Sequence, residues 1–208
     1  MFEPELLLAA YRQGIFPMAV GERDEIGWFS PDPRAVIPLD DRFHVPHGLR
    51  RVLRKNRFLV TFDKAFGPVI RQCAKRPEGT WISREIIDSY THLHRLGYAH
   101  SVEVWLQPAN ATGDAPPGPR SPVRRIPAGG LYGVHIGGVF FGESMFHRET
   151  DASKVALVAL VEHLRARGFA LLDTQWQTSH LAQFGTHEIP RRDYLRRLKA
   201  ALAMDCRF

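Results

Sequence analysis

Cysteine is scarce in this sequence, and so are long apolar segments. Only two cysteines occur among the 208 residues, Cys73 and Cys206, and they lie far apart without a CxxC spacing. Neither a disulfide framework nor a thiolate zinc site is expected from such a pair, and a reducing cytoplasm fits it. The N-terminal segment MFEPELLLAAYRQG carries acidic residues and no long apolar run, so no signal peptide and no membrane span are predicted.

The common nucleotide-binding and hydrolase motifs are missing as well. The sequence contains no GxxxxGK[ST] loop, no GxGxxG after a predicted strand, no HExxH and no GxSxG. His92 and His94 are two residues apart on a predicted helix, so they point to different faces and cannot share a metal ion. We therefore predict no metal site and no bound cofactor.

Positive charge is in moderate excess, with 28 Lys and Arg against 22 Asp and Glu. This excess suits a polyanionic partner such as nucleic acid, and equally an ordinary solvated surface. In residues 42–57, Leu49, Val52 and Leu53 recur at helical spacing, so one face of the predicted helix is apolar and the other is cationic. Taken alone, such a charge run is more typical of a solvated helix face than of a binding surface. Its cationic residues include Arg50, Arg51, Arg54, Lys55 and Arg57.

The pattern of apolar residues predicts an α+β fold, a mixed sheet with helices packed on it. Residues 15–38 are rich in proline and aromatic residues, which predicts irregular chain between a small N-terminal lobe (1–35) and a larger domain (36–208). The Pro- and Gly-rich segment 108–127 is predicted to be a flexible loop. Asp63 is a candidate N-cap for the helix that follows it.

The larger domain is predicted to contain a strand, a hairpin, a core helix, a second strand and a basic helix, in that order. These are expected at residues 101–106, 131–141, 151–168, 169–175 and 191–203. The dipeptide Gly137-Gly138 tolerates the positive φ angles of a two-residue hairpin turn. This order of elements indicates a mixed sheet.

Polar side chains end the last core strand. A period of two places Asp173 and Gln175 on one face of that strand, with Leu171 beneath them. Such residues can line a site, or they can reach solvent or cap the next helix, and the sequence alone favours neither. Glu143 ends the run VFFG in a similar way, so two carboxylates converge if the strands are neighbours, which makes them candidates for proton handling.

Several segments resemble the leucyl/phenylalanyl-tRNA–protein transferase family. They are AYRQGIFPM (10–18), WFSPDPRAVIPL (28–39), AHSVEVW (99–105), GGLYGV (129–134) with FFGESMF (140–146), and further on ASKVAL, LLDTQ and HLAQFGTHEIPRRDYLRRL. Together these segments run from near residue 5 to near residue 198. The combination of GESMF with D-x-Q at this distance is highly specific.

The resemblance implies a fold and an activity. The larger domain would resemble the GCN5-related N-acetyltransferase fold, preceded by a small N-terminal lobe. The enzyme would move Leu, Phe and less efficiently Met from charged tRNA to the α-amine of proteins with N-terminal Arg or Lys, marking them for N-degron degradation. A cytoplasmic monomer that needs no cofactor and does not associate with a membrane is implied.

Site residues follow from the same resemblance. Asp173, held with Gln175, would orient the attacking amine and stabilise its developing charge, while Glu143 would hold either the terminal ribose or the acceptor's basic side chain. The cationic face of residues 42–57 would hold tRNA phosphates. Plain core packing explains each apolar pocket member equally well. The expected pocket residues are Leu131, Phe140, Leu160 and Leu172, with Trp105 and Ser144 close by.

The sequence also departs from the family pattern. Met18 stands where many members have the Trp that stacks on the terminal adenosine, and His147 replaces the usual Ser. The chain begins late, so a reduced N-terminal lobe is expected.

Two other functions stay open. An acetyl-CoA-dependent amine acyltransferase would need a Gly-rich turn before the core helix, where this sequence has HRETDASK. A non-catalytic RNA-binding protein would use the basic faces, but it gives no reason for Asp173, Gln175 and Glu143 to cluster.

Overall fold

The structure is a computed structural model, and it describes residues 1–21, 23–77, 79–107 and 127–208. Its helices are α1 (Pro4–Arg12), α2 (His47–Arg54), α3 (Phe66–Cys73), α4 (Arg84–Arg95), α5 (Ala152–Ala166), α6 (Ser179–Ala182) and α7 (Arg191–Leu202). Its strands are β1 (Phe16–Val20), β2 (Glu25–Phe29), β3 (Arg34–Ile37), β4 (Phe58–Phe62), β5 (Ala99–Leu106), β6 (Gly129–Ile136), β7 (Val139–His147), β8 (Leu171–Gln175) and β9 (His187–Ile189).

A seven-stranded mixed sheet forms the centre of the molecule. Its strand order is β4-β5-β6-β7-β8-β3-β9, and β1 and β2 form a separate antiparallel ribbon. Among the described residues of the large sheet, β7 and β8 pair in parallel and the other neighbouring strands pair antiparallel, and α5 connects β7 to β8 as a crossover helix. The predicted α+β class, a mixed sheet with packed helices, is confirmed.

Helices cover both faces of the sheet, so two apolar cores form. One core joins side chains of α1, α3, α4 and α7 to sheet residues such as Val134 and Phe141. The other joins α5 and Leu49 of α2 to Leu131, Phe140 and Leu172. Because both faces of the central strands are buried, these strands are apolar along most of their length.

The predicted hairpin is present as β6 and β7. Its register runs to Ile136↔Val139, and Gly137 adopts φ +59° in the turn. A Cβ at Gly137 would meet the Leu202 carbonyl oxygen at 2.7 Å, so this turn also packs closely against the end of α7. β7 extends beyond the predicted strand, to His147.

Residues 15–38 are not irregular, because β1, β2 and β3 lie within them. Pro17 is paired with Trp28 in a two-stranded ribbon, where every strand is an edge and a missing N–H costs little. The expected cap at Asp63 is also wrong, since Ala65 is the N-cap of α3. Asp63 accepts a hydrogen bond from the Ser101 N–H at 2.9 Å instead.

The N-terminal segment packs into the main core. Leu7, Leu8 and Tyr11 of α1 are buried in the same cluster as sheet residues. The predicted boundary between residues 35 and 36 falls within β3, which begins at Arg34. Of the predicted loop 108–127, residues 108–126 lie outside the described part of the chain. No helix in the described ranges combines the length and hydropathy needed to cross a bilayer.

Candidate active site

The parallel strands β7 and β8 separate at their C-terminal ends. Their register runs from Val139↔Leu171 to Phe141↔Asp173, after which β7 continues to His147 and β8 continues to Gln175. The continuation of β7 stays paired with β6. A cavity of about 550 Å³ lies at this opening, lined by residues 142–145 of β7 and by residues 174–176 at and just beyond the end of β8.

Most of the predicted site residues lie on this cavity. Its apolar wall comes from the sheet and from α5, and includes Leu157, which was not predicted. Glu143 and Gln175 contribute polar groups from opposite sides of the opening. The predicted residues that line the cavity are Met18, Leu131, Glu143, Ser144, Leu160, Leu172 and Gln175.

Trp105 and Phe140, by contrast, do not line the cavity. Trp105 lies on β5, two strands away from the opening, and its indole N–H donates to Thr61 Oγ1 at 2.8 Å. Phe140 is fully buried and stacks on Phe208, with ring centroids 5.4 Å apart. Both side chains contact other parts of the fold, and their role in substrate binding stays a prediction.

Asp173 is buried in a network that occupies both of its carboxylate oxygens. Arg34 donates from Nε to Oδ1 at 2.9 Å and from Nη2 to Oδ2 at 2.6 Å. Oδ1 also accepts the backbone N–H of Gln175 at 2.9 Å, and Oδ2 accepts the Tyr194 hydroxyl at 2.8 Å. Asp173 is not among the residues that line the cavity. Its carboxylate therefore contacts groups that shape the site, not the cavity itself.

Arg34 is a central residue that the sequence reasoning missed. Its side chain is 1 % exposed, and its guanidinium carbon lies 5.0 Å from the ring centre of Phe16 and 4.5 Å from that of Tyr194. Nη1 donates to the Gly14 carbonyl at 3.0 Å. In the sequence, the feature that could have drawn attention to Arg34 is its position within the family segment WFSPDPRAVIPL. No local pattern indicates its partners.

Glu143 has a different environment from Asp173. Its Oε1 accepts the Tyr11 hydroxyl at 2.7 Å, and the Tyr11 and Tyr90 hydroxyls hydrogen-bond to each other. Burial raises the pKa of Glu143 to about 8, and the nearby Asp173 carboxylate acts in the same direction against the Tyr11 hydrogen bond and Arg34. Because β7 and β8 are neighbours, the carboxylates of Glu143 and Asp173 lie close enough to interact, as the sequence predicted for neighbouring strands.

Gln175 holds an unusual backbone conformation at the end of β8. Its φ is +58°, a left-handed value that residues other than glycine rarely adopt, and its backbone N–H donates to Asp173. Its side chain is 6 % exposed, and Nε2 has no hydrogen-bond partner among the described residues. Such strain is common where a side chain must be directed into a site.

Buried polar atoms without partners gather at this cavity. Across the described residues, five buried side-chain polar atoms lack a hydrogen-bond partner, and three of them, the Tyr132 hydroxyl, Gln175 Nε2 and His180 Nε2, belong to residues that line the cavity. Burial lowers the pKa of His180, and Lys154 and His147 lower it further. A buried polar atom is normally paired, so these three indicate a polar ligand or water in the cavity.

A cationic surface lies along α2 and the residues that follow it. The side chains of Arg50, Arg51, Arg54 and Lys55 are exposed along and just after α2. Arg57 pairs with Glu149 at 2.6 Å, and Glu149 is two residues beyond His147, which lines the cavity. The predicted helix is therefore present, with Leu49 as its buried contact to the core.

Comparisons with known proteins agree on one family. The model described as leucyl/phenylalanyl-tRNA protein transferase matches residues 36–113 and 125–199, and the model of that family's N-terminal domain matches residues 1–32. A leucyl/phenylalanyl-tRNA–protein transferase of Akkermansia muciniphila is 53% identical over 201 residues, covering 96% of this chain and 95% of the relative. The Gloeobacter violaceus protein of the same name is 55% identical over 205 residues, covering 99% of this chain and 96% of its own.

Proposed function

This chain belongs to the leucyl/phenylalanyl-tRNA–protein transferase family, and from that membership we propose that it transfers Leu or Phe, and Met less efficiently, from charged tRNA to proteins that begin with Arg or Lys. It is an aminoacyltransferase. The observation that carries the finer proposal is the cavity between β7 and β8, which joins an apolar wall to the polar groups of Glu143 and Gln175.

The donor's side chain binds against the apolar wall in this proposal. Leu131, Leu160 and Leu172 offer contacts to any apolar side chain of suitable size that is not branched at Cβ. An apolar pocket distinguishes neighbours that differ by one methylene by only about 1 to 3 kcal/mol, so use of Leu, Phe and Met is expected to overlap. β-Branched donors are disfavoured because their stiff Cβ substituents crowd the reacting carbonyl.

Gln175 orients the reactants, and Asp173 acts through it. The amide of Gln175 has an oxygen that can accept from the attacking amine and a nitrogen that can donate to the ester carbonyl. Asp173 accepts hydrogen bonds from Arg34 and Tyr194, which hold its carboxylate in place, and it also accepts the Gln175 backbone N–H. We therefore assign Asp173 as a positioning residue instead of a direct contact of the amine.

Glu143 handles the proton in this scheme. The neutral acceptor amine attacks the ester carbonyl, a C–N bond forms, and the C–O bond to the ribose breaks. One amine proton moves to the Glu143 carboxylate and then to the departing ribose oxygen. A pKa of about 8 for Glu143 lies close to that of a protein α-amine, about 7.7 to 8.0, so transfer in both directions is feasible.

Acceptor and tRNA selectivity rest on different groups. Among the described residues that line the cavity, Glu143 is the acidic one, and its carboxyl oxygens can accept hydrogen bonds from an N-terminal Arg or Lys side chain, which an acidic side chain cannot donate when ionised. The tRNA phosphates bind to a set of cationic residues, which gives affinity without reading the bases. These residues are Arg50, Arg51, Arg54, Lys55 and Arg57.

The remaining expectations belong to the same proposal. The separation of the parallel strands β7 and β8 within a mixed sheet supports a fold like that of the GCN5-related N-acetyltransferases. In this proposal the catalytic domain spans residues 36–208 and follows an N-terminal lobe at 1–35. Charged tRNA and N-degron substrates place the enzyme in the cytoplasm, where it acts as a monomer.

A transfer assay tests this function. The purified protein is given Leu- or Phe-charged tRNA and a peptide that begins with Arg, and mass spectrometry is expected to show one added residue without ATP or metal. The matched peptide that begins with Glu is the control and is expected to remain unmodified. Extension only with acetyl-CoA would favour an acetyltransferase, and tight tRNA binding without any product would favour a non-catalytic RNA-binding protein.

A further inference from the structure

Tyr132 is buried at an energetic disadvantage that its own fold does not offset. The side chain is fully buried, and its ring is fixed by edge contacts with Phe66 and Tyr90, at centroid distances of 5.9 and 5.8 Å. Its hydroxyl has no hydrogen-bond partner within the described chain. A buried hydroxyl left unpaired lowers the stability of the fold. The hydroxyls of the buried tyrosines Tyr11, Tyr90 and Tyr194 are all hydrogen-bonded.

The position of this hydroxyl connects it to the reaction. Tyr132 lines the cavity, pairs with Ser144 across β6 and β7, and immediately precedes a break in that register. Gln175, whose amide nitrogen also lacks a partner, lines the same cavity from β8. Two unpaired hydrogen-bonding groups thus approach the opening from opposite sides.

We propose that Tyr132 is a catalytic residue whose hydroxyl donates a hydrogen bond to the ester carbonyl oxygen as that oxygen becomes negative during acyl transfer. The inference rests on the proposed function. Attack by the amine moves the carbonyl π electrons onto oxygen, and collapse of the intermediate returns them as the ribose leaves. Donors aimed at such an oxyanion act only in the transition state, so they raise kcat more than they lower KM.

The chemistry of the hydroxyl suits this role. Burial raises the pKa of Tyr132 well above its usual value, and the Glu143 carboxylate and Tyr90 raise it further, so the group stays protonated and can donate. An aminoacyl ester is rich in oxygen acceptors. A tyrosine hydroxyl is one of the side chains that form oxyanion holes.

The test is Tyr132→Phe, which removes one oxygen and no packing. We expect kcat to fall about 10²-fold or more with little change in KM, since one oxyanion donor is worth about that much. The thermal midpoint should stay the same or rise, because an unpaired buried polar atom has been removed. Tyr98→Phe, away from the cavity, should leave kcat unchanged. Tyr90→Phe, which loses a satisfied hydrogen bond, should lower the thermal midpoint.

Binding of two non-reactive donor analogues separates this inference from the proposed function. One is an amide-linked phenylalanyl adenosine with a planar carbonyl, and the other is its tetrahedral phosphonate. Tyr132→Phe should weaken phosphonate binding by about 10-fold or more and leave planar binding unchanged. Equal weakening of both, no weakening of either, or a kcat loss that tracks a lower thermal midpoint would overturn the inference. Wild-type transfer with an unaffected variant overturns only the role of Tyr132. A wild type that does not transfer overturns the proposed function even where phosphonate binding depends on Tyr132.

Discussion

Two carboxylates in this site differ because of the groups around them. Asp173 is fully buried and its oxygens accept from Arg34, Tyr194 and the Gln175 backbone. Glu143 accepts from Tyr11 and lines the cavity. The Asp173 carboxylate is therefore part of a fixed hydrogen-bonded framework, whereas the Glu143 carboxyl group can exchange a proton. This difference predicts how each residue responds to substitution and to pH.

Removing the charge of Asp173 is expected to affect stability and turnover separately. Asp173→Asn leaves the Arg34 guanidinium buried without its counter-charge, which should lower the free energy of unfolding by about 3 to 5 kcal/mol. The double variant Arg34→Met with Asp173→Leu should recover much of that loss, since apolar residues can replace a buried ion pair. Turnover should remain at least about 10²-fold low in both variants, because Asn keeps one acceptor oxygen where the carboxylate has two and Leu keeps none, so neither side chain fixes the Gln175 N–H as Asp173 does.

Urea unfolding and steady-state kinetics on the same preparations check this prediction. The positioning role would be excluded by a double variant that regains both stability and kcat. Gln177→Ala, an exposed neighbour on the same segment, serves as the control and should match the wild type.

Glu143 is expected to make stability fall as pH rises. Its pKa is about 8 in the folded protein against an ordinary value of 4.5, so between these values the folded state binds a proton that the unfolded chain has released. Stability should thus decline from about pH 4.5 to about pH 8 and level off beyond it. Glu143→Gln cannot ionise and should flatten the decline. Thermal midpoints of both proteins from pH 5 to pH 9 test this, and parallel curves would contradict it.

Elements differ in how far the sequence predicts them. The β6–β7 hairpin was predictable because the alternation and the Gly137-Gly138 turn are local signals. Strands β1 to β3 were not, because Pro17 disfavours an internal strand and the pairing of β1 with β2 and of β3 with β8 and β9 is set by tertiary contacts. Likewise, Glu143 and Gln175 could be proposed from strand-end polarity, whereas Arg34 could not, since 139 residues separate it from Asp173.

The exposed cationic face of α2 carries a prediction at this scale. Changing Arg50, Arg51 and Arg54 to Glu should weaken tRNA binding and reduce the magnitude of its log–log salt slope by up to about 3, because fewer counterions are released. A minimal aminoacyl-adenosine donor should still be used. The control reverses three exposed arginines of α7, Arg192, Arg196 and Arg197, with the same change in net charge. Equal losses in the two variants would show that overall charge, and not α2, determines binding.

At the scale of the whole molecule, the site is assembled from distant parts of one chain. α1 supplies Tyr11, β3 supplies Arg34, β6 and β7 supply the residues around Glu143, and β8 supplies Asp173. α1 packs in the same core as the central sheet, so the N-terminal segment is part of the site's support. The sequence indicates the components, but only the sheet order shows that they meet.

The guanidinium of Arg34 sets a condition on biosynthesis. Its partners include Gly14 before it, Asp173, and Tyr194 at a separation of 160 residues. A chain made from its N-terminus at about 5 to 20 residues per second keeps this arginine without its full set of partners for roughly 10 to 30 seconds. The nascent chain must keep that cation hydrated until α7 has been made, so the transferase site cannot be completed by the earlier elements alone.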